Sequence, residues 1–519
     1  MSWILDYRIL LAGLGLTFML GAWLLWWGLL GDRSKGRPRC PKCWYDMSGA
    51  PMSTLVCSEC GTNARRPRRL LKNHRRWWAI GLGVLLVSPT TYAINVIWQW
   101  HREQAAWKLA MAGGFLSKQI NTAPAWLRGR LPQSGLAFYD RVESLSLVGA
   151  SDDDVSSIVS MGRLRALVIF NAKLSDDGVA QLCKLHALDR FDITVSHITD
   201  RGLADLGRRT DVTRLDLSAN DAITDRGLDQ LAGMASLEAL TLSETHVTDR
   251  GVYRLHDLPS LSDLCLQGLP LTDDALLEIA KRLPGLETLQ LQGTKVTDSG
   301  MMDLAWLSVL RYLDVSRTAI SDDGAAMLAS LLEISDLEFH HTDVGDEGMM
   351  ALSKAKRLTS LSLDESRVSS NGIAALAALP RLGKLHLDGK QLTPATVDAL
   401  ARFSRYVDLV LWGGEVDDES IEMLTAMPML QTLELFQTSV GDDGLNALTR
   451  INGLTQLHCD TSANMTCAGL LSLGNLRFVT SLEIRDPQGV TATCIDELQA
   501  QLPYATFNQE KTIRDLGGG

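Results

Sequence analysis

Four cysteines near the start of the chain carry the spacing of a metal site. Cys40 and Cys43 form one C-x2-C pair and Cys57 and Cys60 a second, with 13 residues between them. Two such pairs can close four thiolates around one tetrahedral Zn²⁺. Gly61 directly follows the second pair and suits the tight knuckle in which backbone amides point at sulfur. Four cysteine ligands leave no open coordination position, so the expected metal is structural. A segment this short buries too little to fold without it. The competing readings are two disulfides or reactive redox thiols. A second chemical candidate is an acid beside a hydroxyl, in HITDRGL (197–203), AITDRGL (222–228) and HVTDRGV (246–252). A catalytic pair is needed once, yet the same acid returns as Asp298, Asp322 and Asp346. The motif therefore reads as punctuation: Thr199, Thr224 and Thr248 at N-caps, Asp200, Asp225 and Asp249 in first turns where the helix dipole favours an anion.

The cysteine segment, about 22 residues, resembles zinc-ribbon modules, and its surroundings say where it lies. The net charge of −11 is unevenly spread: residues 31–76 hold 12 Lys/Arg against 3 Asp/Glu, and 77–100 hold no charge. Ile9–Leu30 is an uncharged run of 22 residues, long enough to cross a bilayer. Trp77–Trp100 is a weaker candidate, interrupted by Pro89, Thr90, Thr91 and Asn95 but bounded at both ends by tryptophans. A cleaved signal peptide and a buried core helix are the respective alternatives. Arg33, Lys35, Arg37, Arg39, Lys72, Arg75 and Arg76 crowd the ends of the two runs, which predicts a cytoplasmic loop and an extracytoplasmic remainder. A reducing compartment disfavours disulfides in that loop. The basic run 64–78 reads as topology determination and attraction to anionic lipid headgroups rather than as a nucleic-acid arm.

From about residue 141 the chain repeats. The Gly of TD-x-G falls at 178, 202, 227, 251, 300, 324, 348, 372, 444 and 469, with Ala275, Thr396 and Ser420 filling the gaps. Asp154 and Cys494 extend the series, giving about 15 units of 24–25 residues. A typical unit, LETLQLQGTKVTDSGMMDLAWL (286–307), passes from a period-2 stretch through a turn to a helical period. This resembles the leucine-rich repeat, nearest the Cys-containing or ribonuclease-inhibitor-like subtypes. The resemblance implies an α/β solenoid with parallel strands on the concave side and helices on the convex side. The position usually held by Asn or Cys is here Ser196, Thr245, Thr294, Thr318, Thr342, Ser366, Thr438 and Ser462, with Asn220 the exception. These hydroxyls are expected to form an internal ladder.

Residues flanking the inward leucines should point off the sheet. Their middle column includes Asp192, Asp216, Asp314, Glu338, Glu434 and Glu483 and no Lys or Arg, a mild hint of a basic partner. Two patches stand out. Asp336, Glu338, His340, Asp364, His386 and Asp388 lie on three rungs, where His340 and Asp388 could share a metal, although polar residues facing water are the plainer account. Val410, Trp412 and Phe436, with Glu434 between them, put large apolar groups on one exposed face, as contact sites do. A C-terminal segment folding back over them is the alternative. The other cysteines (183, 265, 459, 467 and 494) share no metal spacing, and their odd number fits poorly with an oxidising exterior. No nucleophile-base pair, phosphate loop or dinucleotide glycine motif occurs in the array.

These readings divide the chain into a first span (1–30), a basic cytoplasmic loop with the zinc ribbon (31–76), a second span (77–100), a juxtamembrane segment and cap (101–140) and the solenoid with its tail (141–519). They imply a non-catalytic, two-span membrane protein whose repeats bind another protein outside the cell membrane. The combination resembles uncharacterised bacterial membrane proteins. The alternative is a signalling protein whose cytoplasmic ribbon binds nucleic acid or a partner.

Overall fold

A computed structural model of the chain describes residues 2–29, 37–48, 55–63, 77–112, 117–121, 140–403, 407–427, 429–460, 462–476, 478–485, 492–502 and 505–508. Most of the basic loop, including Arg33, Lys35, Lys72, Arg75 and Arg76, and the tail 509–519 lie outside them. The chain forms two compact units: residues 1–108 with 119–142, and 109–118 with 143–519.

In the first unit, the helices Ser2–Leu29 and Trp77–Ala112 pack side by side. Glycines set the approach. A Cβ on Gly21 would stand 2.8 Å from Val87 and one on Gly28 2.8 Å from Ile80, so the helices run antiparallel. Gly83 answers from the second helix, where a Cβ would meet Leu25 at 2.7 Å. Small residues at the contact let the two helices approach closely. Pro89 removes an amide inside the second helix. Hydroxyls occupy the carbonyls around it: Thr90 Oγ1 donates to Leu86 O (2.6 Å) and Thr91 Oγ1 to Val87 O (2.7 Å). Leu16, Met19, Trp23, Trp26, Leu82, Leu85 and Trp98 point outward and are exposed. Among the described residues, Trp78–Trp98 (21 residues, mean hydropathy 1.7) is the one stretch long and apolar enough to cross a membrane, and Gly13–Leu29 is a shorter apolar helix.

The second unit is a stack of repeats. Each short strand pairs in parallel with the strand of the next repeat, so that Leu289, Leu313, Leu337, Leu361 and Leu385 form one column. All five are buried, as are the helix leucines Leu328, Leu352 and Leu376 that face them from the opposite layer. Each leucine taken from water stabilises the stack by roughly 1.5–3 kcal/mol. A left-handed residue follows most strands, among them Val195 (φ 51°), Glu244 (φ 55°) and Arg317 (φ 54°), and turns the chain out of the sheet. The expected hydroxyl ladder takes two forms: Ser196 Oγ donates to Asn220 Oδ1 of the next repeat at 2.6 Å and Ser462 Oγ to Val440 O of the preceding one, while most threonines stay within their own turn. Thr245, Thr294 and Thr342 donate to the carbonyl three residues back in their own turn (2.7, 2.7 and 2.8 Å). Asn220 and Gln391 also bond the preceding repeat, donating to Ile193 O and Leu363 O, each at 2.8 Å.

The recurring acid has a second task besides the helix dipole. Thr199, Thr224 and Thr248 are the N-caps, as the sequence indicates. Each is also held by the acid of the preceding repeat. Asp200 accepts from Thr224 N (2.8 Å) and Thr224 Oγ1 (2.7 Å), and Asp225 treats Thr248 alike (2.7 and 2.8 Å). The bond recurs from Asp152 to Ser175, Asp298 to Ser321 and Asp442 to Thr466. This explains the glycine of the motif. A Cβ on Gly227 would stand 2.5 Å from Asp200 Oδ1, and one on Gly300 2.5 Å from Asp273 Oδ1. At two successive joints the acid position holds Ser370 and Pro394, and the glycine position across each joint holds Thr396 and Ser420. There the Thr393 amide turns to Gln391 O (3.1 Å), and Asp417 caps its own helix through Ser420. At the last joint Cys467 takes the acid position and Cys494 the glycine position, and the two form a disulfide.

Candidate functional site

Two structured regions can hold a ligand: the cysteine segment and the open face of the sheet. The cysteine segment is built from two matching knuckles. In the first, Trp44 N donates to Cys40 O (3.0 Å) and Cys40 N to Tyr45 O (3.0 Å). In the second, Gly61 N donates to Cys57 O (2.9 Å) and Cys57 N to Thr62 O (3.0 Å). Both turns end in the left-handed region, at Trp44 (φ 66°) and Gly61 (φ 70°). The bridges Arg39–Asp46 and Val56–Asn63 pin the two arms. Cys40 Sγ lies 3.5 Å from Cys60 Sγ, and Cys43 Sγ 3.5 Å from Cys57 Sγ. All four sulfurs fall within 4.8 Å of one another. That is too far for a disulfide and close to the ~3.7 Å edge of a tetrahedron with 2.3 Å metal–sulfur bonds. Thr62, through its hydroxyl and its amide, holds the Cys60 thiol down to about 6. Arg37 and Arg39 pair with Asp46 (both 3.5 Å) at the edge of the knuckles.

On the sheet, register brings Glu338, Ser362 and His386 side by side. Two residues on, His340 and Asp364 follow. Ser362 is small and buried, and the longer side chains converge over it. His340 Nδ1 lies 2.7 Å from Asp364 Oδ2, and His340 Nε2 lies 3.4 Å from Glu338 Oε2. Tyr312 donates to Glu338 Oε1 at 2.7 Å. Burial opposes charge on His340, but the bonds to Asp364 and Glu338 outweigh it and raise the imidazole to about 10. Burial moves His386 the other way, below its ordinary value. Asp388, expected within reach of a metal at His340, stands outside the group formed by His340, Asp364 and His386. Its carboxylate is taken by backbone, accepting from Glu365 N (2.7 Å) and Gln391 N (3.0 Å), and it closes the turn instead. Asp336 likewise accepts from the neighbouring Ser335 hydroxyl.

The aromatic patch is smaller than its sequence suggests. Trp412 and Phe436 pair in register, their ring centroids 5.0 Å apart. Trp412 is 38% exposed. Arg485 lies over the Phe436 ring at 5.3 Å, steadied by Glu483 at 2.9 Å. Val410, expected to be exposed beside them, is 1% exposed. Lys384 reaches diagonally to Glu434 (3.5 Å) across the intervening rung and covers it. Leu433 faces the core as expected. Two acids of the central column, Asp192 and Asp314, are nearly buried and raised by that burial. Arg190 pairs with Asp192 at 2.7 Å. The Cys467–Cys494 pairing was not legible from cysteine spacing. Its signal lay in the repeat, where both cysteines replace residues that touch across most of the other joints.

None of the curated proteins matches this chain. Among solved structures, an internalin (inlF) from Listeria monocytogenes is similar over 62% of this chain and 87% of its own, at 21% identity and a TM-score of 0.40. An internalin C2 (inlC2) from the same organism is similar over 40% of this chain and 84% of its own, at 28% identity and a TM-score of 0.32. Residues 210–232, 284–305 and 307–329 match the family described as Leucine Rich repeat, and the chain carries leucine-rich repeats.

Proposed function

We propose that this is a non-catalytic recognition protein, anchored in a bacterial cell membrane by a two-helix hairpin, that binds another protein on the open face of its repeats. The observation that carries this reading is the Trp412–Phe436 pair. Two large rings lie together on a sheet face where polar residues would serve solubility better. The membrane reading is supported by the outward apolar side chains of both helices and by their glycine-lined contact. The positive-inside rule puts the basic loop in the cytoplasm and the repeats outside. The Cys467–Cys494 disulfide favours that side, since such bonds persist in oxidising compartments.

In the loop, Cys40, Cys43, Cys57 and Cys60 would hold one structural Zn²⁺. Their sulfur separations fit the ion, and a closed thiolate set supplies folding energy rather than chemistry. Nearby arginines and lysines would meet anionic headgroups. A photoreactive side chain placed at position 412 in the native host tests the binding site. A discrete protein adduct that disappears when Phe436 is replaced by Ala is expected. Equal labelling from position 412 and from a convex-face position such as 302 would overturn the reading.

A further inference from the structure

The aromatic pair is one of two features on the sheet face, and the histidine cluster beside it has a chemistry of its own. His340, Asp364 and His386 each offer a ligand atom, and these atoms lie within 4.8 Å of one another. They come from three successive rungs, so the parallel register itself sets their spacing. Ser362 leaves the floor between them open, because nothing longer fills the middle of that column.

Asp364 supplies the independent observation. It is 8% exposed, and its Oδ1 has no hydrogen-bond partner while Oδ2 is engaged by His340. A buried carboxylate oxygen left unpaired is costly and calls for a partner. Glu338 Oε2, 3.4 Å from His340 Nε2, brings a second carboxylate to the same place. Its other oxygen is held by Tyr312, which fixes the group rather than leaving it to swing into solvent.

We propose that His340, Asp364 and His386, with Glu338 beside them, bind a divalent d-block cation of the Zn²⁺ class over Ser362. Two imidazoles with carboxylates select such ions over Mg²⁺ and Ca²⁺, which prefer oxygen donors alone. The set is open towards solvent, unlike the closed thiolate set of the loop, so water or a donor from a bound partner completes it. The site does not depend on the protein-binding reading.

The test uses the full chain in detergent, stripped of metal and dialysed against micromolar Zn²⁺ with excess Mg²⁺, with bound metal read by elemental analysis. The wild type should hold two ions per chain, one at the cysteines and one on the sheet. His340→Ala with His386→Ala, and separately Asp364→Asn, should remove one of them. Loss of affinity should exceed about a hundredfold, since even outer-shell partners contribute ten- to a hundredfold. A chain carrying Cys57→Ser and Cys60→Ser gives an arm that needs no histidine variant. With Co²⁺ it should show ligand-field absorption without a thiolate charge-transfer band. Zinc content unchanged by the histidine and Asp364 substitutions, or no Co²⁺ absorption in the cysteine variant, overturns the proposal. Were the thiolates to take no metal, the wild type would hold one ion and the histidine variant none, so the two sites fail separately.

Discussion

Replacing Asp322 by Ala should loosen the helix of the following repeat. That helix, Asp346–Leu352, begins at Gly345, whose lack of a side chain leaves it without a cap of its own. Asp322 supplies the cap from the repeat before: its Oδ1 accepts from Gly345 N at 2.7 Å and from Gly348 N at 2.8 Å. Hydrogen bonds to a charged group contribute about 1.5–3 kcal/mol each when well buried. Asp322 is half-buried, so the lower end applies, and the pair amounts to about 3 kcal/mol. At about 1.4 kcal/mol per decade this is about a hundredfold faster local opening. Hydrogen exchange of the 345–352 amides in the full chain reads it directly. It avoids assuming that a long repeat array melts in one step. The neighbouring Asp323 sits in the same first turn, exposed, and makes no such contact. If the acids acted only through the helix dipole, Asp323→Ala and Asp322→Ala would have similar effects of at most about 1 kcal/mol. Equal exchange rates in the two variants would refute the inter-repeat bond as the source of stability.

Three further outcomes are expected. A peptide of residues 31–76 purified under reducing conditions should hold one zinc ion and lose its fold on chelation; a folded, metal-free peptide would exclude the structural role. Protease added to intact spheroplasts should cut beyond Trp100 and spare the 31–76 loop, whereas protected repeats would reverse the sidedness. Trp412→Ala with Phe436→Ala should weaken partner binding by about 2–4 kcal/mol and leave the melting temperature nearly unchanged. Leu433→Ala, which empties a core position, should lower stability by about 2–5 kcal/mol. An early-melting double variant would place the aromatics in the structure rather than at a contact.

What could be read from the chain was whatever is local. The TD-x-G spacing located the helix starts, since a cap and its helix lie within four residues. Its partner lies 23 to 26 residues away, and no local rule shows that Asp200 will meet Thr224 or that Gly227 must stay bare for it. The same limit explains Val410. Alternation correctly put it on the open face, but Lys384 and Glu434, one repeat to either side, close over it. Asp388 was placed on the right rung, but no local rule shows that its carboxylate accepts from Glu365 N and Gln391 N and closes the turn. The cysteine quartet was legible because a C-x2-C knuckle is complete within six residues.

Two joints, at Ser370 and Pro394, have neither the acid nor the disulfide, and this has a mechanical consequence. Units coupled only to their neighbours behave as springs in series, and strain collects at the most compliant links. A pull or twist applied along the array will therefore bend it first between the helices beginning at Ser370, Pro394 and Asp418. These links fall in the stretch of chain that runs from the histidine cluster to the aromatic pair. Flexure there alters the distance between the two surfaces while the latched repeats on either side move as rigid arms. The covalent bond at Cys467–Cys494 stiffens the far end, so elastic deformation is channelled to these inner joints of the C-terminal half rather than frayed away at the edge.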